Sequence, residues 1–332
     1  MLNIRIENIS PEVMGTDRDL GFTFKEEKWL DYRKRWDNNP LMDILEEAPL
    51  QIDLFAVDVC NLKCPMCVRE AHINGNGYMD VNLVKKIIDQ ATEYGVPAFN
   101  FGGLGEPTLY PHLFEILKYA KDRGIIDVNI HTNGTRLSPE FNKKLIETGL
   151  DRIIISVDSN VKNIYEKIRI GANFEKTYSG IKDFIDQRNL LGKEKPHIKV
   201  NYINTDEDDP TQKNDFINYW KDKVNRIAVL RYLDCSNGEG EVYHQKNYEQ
   251  DKNFCCAELW RRLCILSDGV ATICTNDMKK KYIVGDVRKE TISEIWKGER
   301  IQKARNFHRK GLFRTIDKCK NCPDSFDPKK RN

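Results

Sequence analysis

The chain has 332 residues, 40% of them hydrophobic, enough for one large α/β unit with a small appendage. Its 53 basic and 51 acidic residues leave a formal charge of +2, which gives no electrostatic basis for binding nucleic acid or an anionic membrane. The longest apolar runs, such as Ile153-Ile154-Ile155, are far too short to cross a bilayer, and Met1-Leu2-Asn3-Ile4-Arg5 lacks the layout of a secretory signal, so a cytoplasmic location is expected.

In chain order, residues 1–50 are polar and aromatic-rich, with a helix predicted over Glu26–Asn38 and a turn-rich exit at Pro40 and Pro49. From residue 51 strands and helices alternate. Strands are predicted at Gln51–Val59, Ala98–Phe101, Val128–His131, Arg152–Val157, His197–Ile203 and Arg226–Leu233. Helices are predicted at Val81–Tyr94, Leu113–Ala120, Pro139–Glu147 behind the N-cap Ser138, Phe174–Leu191 and Thr211–Lys221. Six strands alternating with five helices indicate parallel β/α units; alternation alone does not separate an open sheet from a barrel. The acidic run Asp206–Asp209 reads as a solvated loop, and the basic end Lys329–Arg331 as a solvated terminus. Beyond residue 234 the texture changes. A hairpin is predicted over Arg262–Cys274 around Ser267-Asp268-Gly269, then a helix over Thr291–Phe307. The expected organisation is an extension (1–50), an α/β barrel-like unit (51–240) and a cysteine-rich unit (241–332).

Ten cysteines are many for a reducing compartment, where clustered thiols point to metal or catalysis rather than disulfides. Cys60, Cys64 and Cys67 form a CxxxCxxC directly after the first barrel strand. Three thiolates can hold three irons of a cubane cluster and leave the fourth open. A structural zinc, with His72 as a fourth ligand, is the competing reading. The other seven cysteines all follow residue 234. Cys256 and Cys274 lie 18 positions apart and Cys319 and Cys322 form a CxxC, so this second cysteine region suggests a second metal site. Cys264 reads as a small core residue. Cys235, just after the sixth strand, is either a loop cysteine or a hydrogen-atom donor at the mouth of the unit.

At these motifs the chain resembles the radical S-adenosylmethionine (SAM) superfamily. The resemblance continues through Gly102-Gly103-Leu104-Gly105-Glu106-Pro107, Thr132-Asn133-Gly134, Ser156-Val157-Asp158 and Arg169. It implies a partial (β/α)₆ barrel over 51–233, with a [4Fe–4S] cluster on Cys60, Cys64 and Cys67. It also implies SAM held by Met66, Gly103, Gly105, Glu106, Ser156, Asp158 and Arg169. Met66 stands where the family often has an aromatic residue beside the adenine. His131 is read as a core or rim residue rather than a base.

The C-terminal text resembles the SPASM domain or its shortened twitch form, through Cys256, Leu259-Trp260, Asp268-Gly269, Cys274, Gly285-Asp286-Val287 and Ile292–Trp296. No further cysteine follows Cys322, so the resemblance implies one auxiliary [4Fe–4S] cluster held by Cys256, Cys274, Cys319 and Cys322, with Cys256 favoured over Cys255 and a zinc ribbon on the same four thiolates as the alternative.

The family's chemistry is reductive cleavage of SAM by an electron from a reductant such as flavodoxin or ferredoxin. The resulting 5′-deoxyadenosyl radical abstracts a hydrogen atom from the substrate. The layout resembles dehydrogenases of the family, so oxidation of a small molecule, a sugar or aminocyclitol, is the favoured expectation. Epimerisation with Cys235 as donor, peptide maturation, and a non-catalytic iron–sulfur or zinc scaffold are the alternatives.

Overall fold

The computed structural model describes residues 5–7, 26–68, 77–204, 210–234, 241–242 and 248–331. Six parallel strands lie side by side in sequence order: β2 (Gln51–Leu54), β3 (Ala98–Phe101), β4 (Asp127–Thr132), β5 (Arg152–Ser156), β6 (His197–Asn204) and β7 (Arg226–Arg231). The crossovers carry α2 (Val81–Glu93), α3 (Leu113–Asp122), α4 (Pro139–Glu147), α5 (Lys162–Ile168), α6 (Phe174–Leu190) and α7 (Pro210–Trp220). This is the parallel β/α array that the alternating sequence predicts.

The sheet extends beyond the array at both edges. β1 (Arg5–Glu7) adds in parallel to β7. At the other edge β11 (Arg262–Ile265) adds in parallel to β2, pairing Cys264 with Asp53, and β12 (Val270–Thr272) and β13 (Ile283–Asp286) follow antiparallel. The cysteine-rich segment therefore continues the same ten-stranded sheet. Two short ladders accompany it: β8 (Leu233–Asp234) with β9 (Glu241–Val242), and β10 (Tyr248–Gln250) with β14 (Phe326–Arg331).

Strand side chains alternate between faces with period two. Ile52, Leu54, Phe99, Phe101, Val128 and Ile130 share one core with residues of α2 and α3 such as Ile87, Ile88 and Leu117. The intervening residues face away from the helices. They include Gln51, Asp53, Asn100, Asn129, Lys199 and Asn201, all buried yet polar. A sheet covered by inert packing on both faces would read as near-continuous hydrophobic runs. Polar alternation marks the second face as a place for ligands.

The helix α5 is additional to the five predicted, and two other helices depart from expectation. α1 (Glu27–Met42) runs through Pro40 instead of stopping before it. Proline has no N–H for the carbonyl four residues back, here that of Trp36. Arg261 Nε donates to that carbonyl at 2.8 Å and fills the vacancy from the C-terminal segment. The single helix predicted over Thr291–Phe307 is two: α8 (Ile292–Lys297) and α9 (Glu299–Arg309). Gly298 is extended between them, and Arg305 Nη1 takes the freed Trp296 carbonyl at 2.7 Å.

Candidate active site

The first cysteine loop hangs from the end of β2 and is tied down on two sides. Gly105 N–H donates to Val57 O at 3.0 Å and Glu106 N–H to Val59 O at 2.9 Å, so the glycine-rich loop after β3 lies against the chain that enters Cys60. A Cβ on Gly105 would stand 2.5 Å from both carbonyl oxygens, which is why glycine is needed at this crossing. Gly103 has φ +144° and a Cβ there would strike the Phe55 ring at 2.1 Å. From the other side, Lys63 N–H donates to Ile170 O at 2.9 Å.

The sulfurs sit among donors. Leu62 N–H donates to Cys60 Sγ at 3.4 Å, Asn133 Nδ2 donates to the same sulfur at 3.8 Å, and Arg169 Nη1 donates to Cys64 Sγ at 3.6 Å. Burial raises the Cys64 thiol and Arg169 opposes that shift. Donors gathered on sulfur suit thiolates that carry negative charge, so this loop fits an iron–sulfur cluster held by Cys60, Cys64 and Cys67. Among the described residues, no three His, Cys, Asp or Glu side chains crowd round a single-ion point. A cubane spreads its thiolates over separate irons.

Three of the polar residues assigned to SAM are occupied within the protein. Glu106 is 2% exposed. Its Oε1 accepts from Thr108 N (3.0 Å), Thr108 Oγ1 (2.6 Å) and Thr132 Oγ1 (2.6 Å), and its Oε2 from Asn133 N (2.7 Å). Burial raises this carboxyl against those four bonds. Its place is to clamp the loops after β3 and β4 together, and only the backbone of its loop is left to meet a ligand. Asp158, at φ +65°, is fully buried and pairs with Arg169, whose Nε lies 2.5 Å from Oδ2. Burial works against the charge on each member, but Asp158 and the Cys64 sulfur keep Arg169 firmly protonated. Arg169 thus bridges Asp158 and the Cys64 sulfur. Ser156 and Met66 are half-buried near the same strand ends. Cys235 and His72 lie outside the described residues.

The second site is a cavity of about 60 Å³ beside β11 and β12, lined by Cys256, Cys274, Cys319 and Cys322. Burial raises all four thiols, Cys274 to about 11. Four half-buried thiols without a disulfide suit a fully ligated cluster, whose loading would displace their protons. Cys255, next in sequence, is exposed and absent from the lining. Cys264 borders the cavity but also packs in an apolar cluster with Phe55, Val68, Leu104 and Leu266.

Several residues were given no role by the motifs. Asn133 touches Cys60 and also donates to Asn61 Oδ1 at 3.0 Å. On the polar sheet face, Asp53 Oδ1 accepts from Gln51 Nε2 (2.9 Å) and Asn100 Nδ2 (2.7 Å). The signal was available: strands written D-L, F-N-F and V-N-I-H alternate polar with apolar.

Residues 55–189 match the family model of the radical SAM superfamily, and residues 255–323 match that of an iron–sulfur cluster-binding domain, SPASM. The chain belongs to the radical SAM superfamily and carries a C-terminal SPASM domain. The cofactors of this architecture are SAM, a [4Fe–4S] cluster and auxiliary iron–sulfur clusters.

Sequence relatives include the tungsten-containing aldehyde ferredoxin oxidoreductase cofactor-modifying protein of Pyrococcus furiosus. It is 35% identical over 153 residues, 45% of this chain and 42% of that protein. A probable GTP 3′,8-cyclase of Methanococcus maripaludis is 37% identical over 128 residues, 38% of this chain and 42% of the cyclase. The matches thus span about two-fifths of the relatives' length. Among solved structures, SuiB of Streptococcus suis bound to precursor peptide SuiA superposes with a TM-score of 0.65 at 16% identity, covering 94% of this chain and 84% of that one. BtrN in complex with AdoMet and 2-DOIA superposes with a TM-score of 0.57 at 18% identity, covering 84% and 94%. At these identities the likeness is one of fold. No helix among the described residues is long and apolar enough to cross a membrane.

Proposed function

We propose that this chain cleaves SAM reductively and oxidises a hydroxyl-bearing small molecule, a sugar or aminocyclitol, held against the polar face of the sheet. The names of the relatives point to unlike substrates, so the choice rests on this chain's own residues. The observation that carries it is the set of acceptors on that face. The Asp53 carboxylate only accepts, so Asn100 must turn its Nδ2 to it, and Asn100 Oδ1 is left for another donor. Asn100 Oδ1 and Asn201 Oδ1 are both buried with no partner among the described residues. An unmet buried acceptor costs about 1–3 kcal/mol, which substrate hydroxyl or ammonium donors would recover.

When bound, the SAM-site cluster supplies one-electron cleavage of SAM to the 5′-deoxyadenosyl radical, and the auxiliary cluster supplies an electron sink for the substrate radical. The protein's part is to fix geometry. Cys60, Cys64 and Cys67 would hold the first cluster, Gly103 and Gly105 let their loop pack against Phe55 and the chain that enters Cys60, and Glu106 locks that loop to Thr132 and Asn133. Cys256, Cys274, Cys319 and Cys322 hold the second cluster.

The test is turnover of a panel of sugars and aminocyclitols by reconstituted protein with SAM and dithionite, without oxygen. A carbonyl product, trapped with a hydrazine, supports oxidation, and Asn100→Ala should raise KM while uncoupled SAM cleavage persists. Deuterium from D₂O at an inverted carbon, with no carbonyl formed, would replace this reading with epimerisation.

A further inference from the structure

His308 closes α9 and stands in the wall of the four-cysteine cavity, 2% exposed. The N–H of Cys256 donates to His308 Nδ1 at 3.2 Å. A backbone N–H can only donate, so Nδ1 carries the lone pair and the ring proton sits on Nε2. Nε2 is buried and has no hydrogen-bond partner among the described residues. The ring is held in place, stacked on Phe313 at 5.8 Å between centroids with Phe254 edge-on at 6.1 Å. A buried N–H is thus fixed, unmet, in the wall where four cysteines converge.

We propose that His308 is a positioning residue for the auxiliary cluster, its Nδ1 holding the Cys256 backbone and its Nε2–H donating to a cluster sulfur. This rests on the reading that Cys256, Cys274, Cys319 and Cys322 hold that cluster. A hydrogen bond to sulfur favours the reduced, more negative state and raises the midpoint potential. The auxiliary cluster becomes a better electron acceptor.

The test uses the full chain carrying both clusters. Iron and sulfide are counted first, and the midpoint is then read by EPR-monitored titration, the SAM-site signal being recognised by its change on adding SAM. His308→Phe keeps the ring but loses both nitrogens. The reduced state should lose 10–100-fold in stability, a fall of about 60–120 mV at 59 mV per tenfold for one electron. His308→Gln offers an acceptor and a donor again and should recover most of the fall. A loaded His308→Phe protein with an unchanged midpoint overturns the inference.

Should His308→Phe lose iron, the wild type decides by pulsed EPR. A D₂O-exchangeable proton coupled to the auxiliary cluster, with only weak nitrogen coupling, supports the donor. Nitrogen coupling of coordination strength, or no exchangeable proton, overturns it. A wild type with no cluster at the four cysteines overturns the cluster reading, whereas a loaded wild type failing these readouts overturns the role of His308 alone.

Discussion

Replacing Arg169 by Met should be among the most damaging single changes near the first cysteine loop. Arg169 has a 13% exposed side chain, and its partner Asp158 has none exposed. Removing one member of a buried ion pair costs about 3–5 kcal/mol, because the other is left charged and alone. Asp158 limits that loss by taking a proton. Burial already raises its carboxyl, and without Arg169 nothing pulls it back. The sign follows: with the folded-state pKa above the unfolded one, stability is retained at acid pH and lost as pH rises through the folded value. The penalty of Arg169→Met should therefore grow between mildly acid and mildly basic conditions. The double variant Asp158→Asn/Arg169→Met, which buries no lone charge, should recover most of the loss. Urea unfolding of the four proteins under anaerobic conditions, followed by circular dichroism, measures the cycle. Single losses below about 1 kcal/mol, or a double loss equal to the sum of the singles, would refute the reasoning. Arg169 also contacts Cys64, so the single variant should hold less iron after desalting.

Other predictions concern the clusters, the loop, the N-terminal helix and Cys235. Cys60→Ala, Cys64→Ala or Cys67→Ala should each remove about four irons and leave the auxiliary signal, while Cys256→Ala, unlike Cys255→Ala, should abolish the auxiliary signal. Iron analysis with EPR reads both. Gly105→Ala should cost about 1–3 kcal/mol by overpacking and weaken SAM binding in calorimetry, since the new methyl meets Val57 O and Val59 O at 2.5 Å. Arg261→Ala should lower the melting temperature by exposing the Trp36 carbonyl as an unmet buried acceptor, about 1–3 kcal/mol. Pro40→Ala in that background returns the missing N–H and should restore the loss. Cys235→Ala should leave oxidation intact if the enzyme is a dehydrogenase; loss of solvent deuterium incorporation in that variant would instead assign Cys235 as a hydrogen donor.

The β/α array was legible because its signals are local. Alternation in strands and apolar spacing in helices, with caps such as Ser138, reappear where the pattern predicted them. What the pattern missed depends on distant partners. The helix through Pro40 needs Arg261, more than 200 residues away in sequence, and the break at Gly298 is matched by Arg305. The union of the cysteine-rich segment with β2 rests on pairing that no local window contains. At the site, cysteine spacing pointed to the loops, but the inward turn of Glu106 and Asp158 is visible only once Thr132, Asn133 and Arg169 are in place. His308 carried no motif; its meaning comes from Cys256 on one nitrogen and no partner among the described residues on the other.

The central claim is that Cys60, Cys64 and Cys67 hold a cluster that cleaves SAM. The direct measurement is anaerobic incubation of the reconstituted protein with SAM and dithionite, with the products quantified by mass spectrometry. Equal amounts of 5′-deoxyadenosine and methionine should form in the wild type, and neither in Cys64→Ala. A wild-type protein loaded with iron and sulfide that yields neither product would contradict the account.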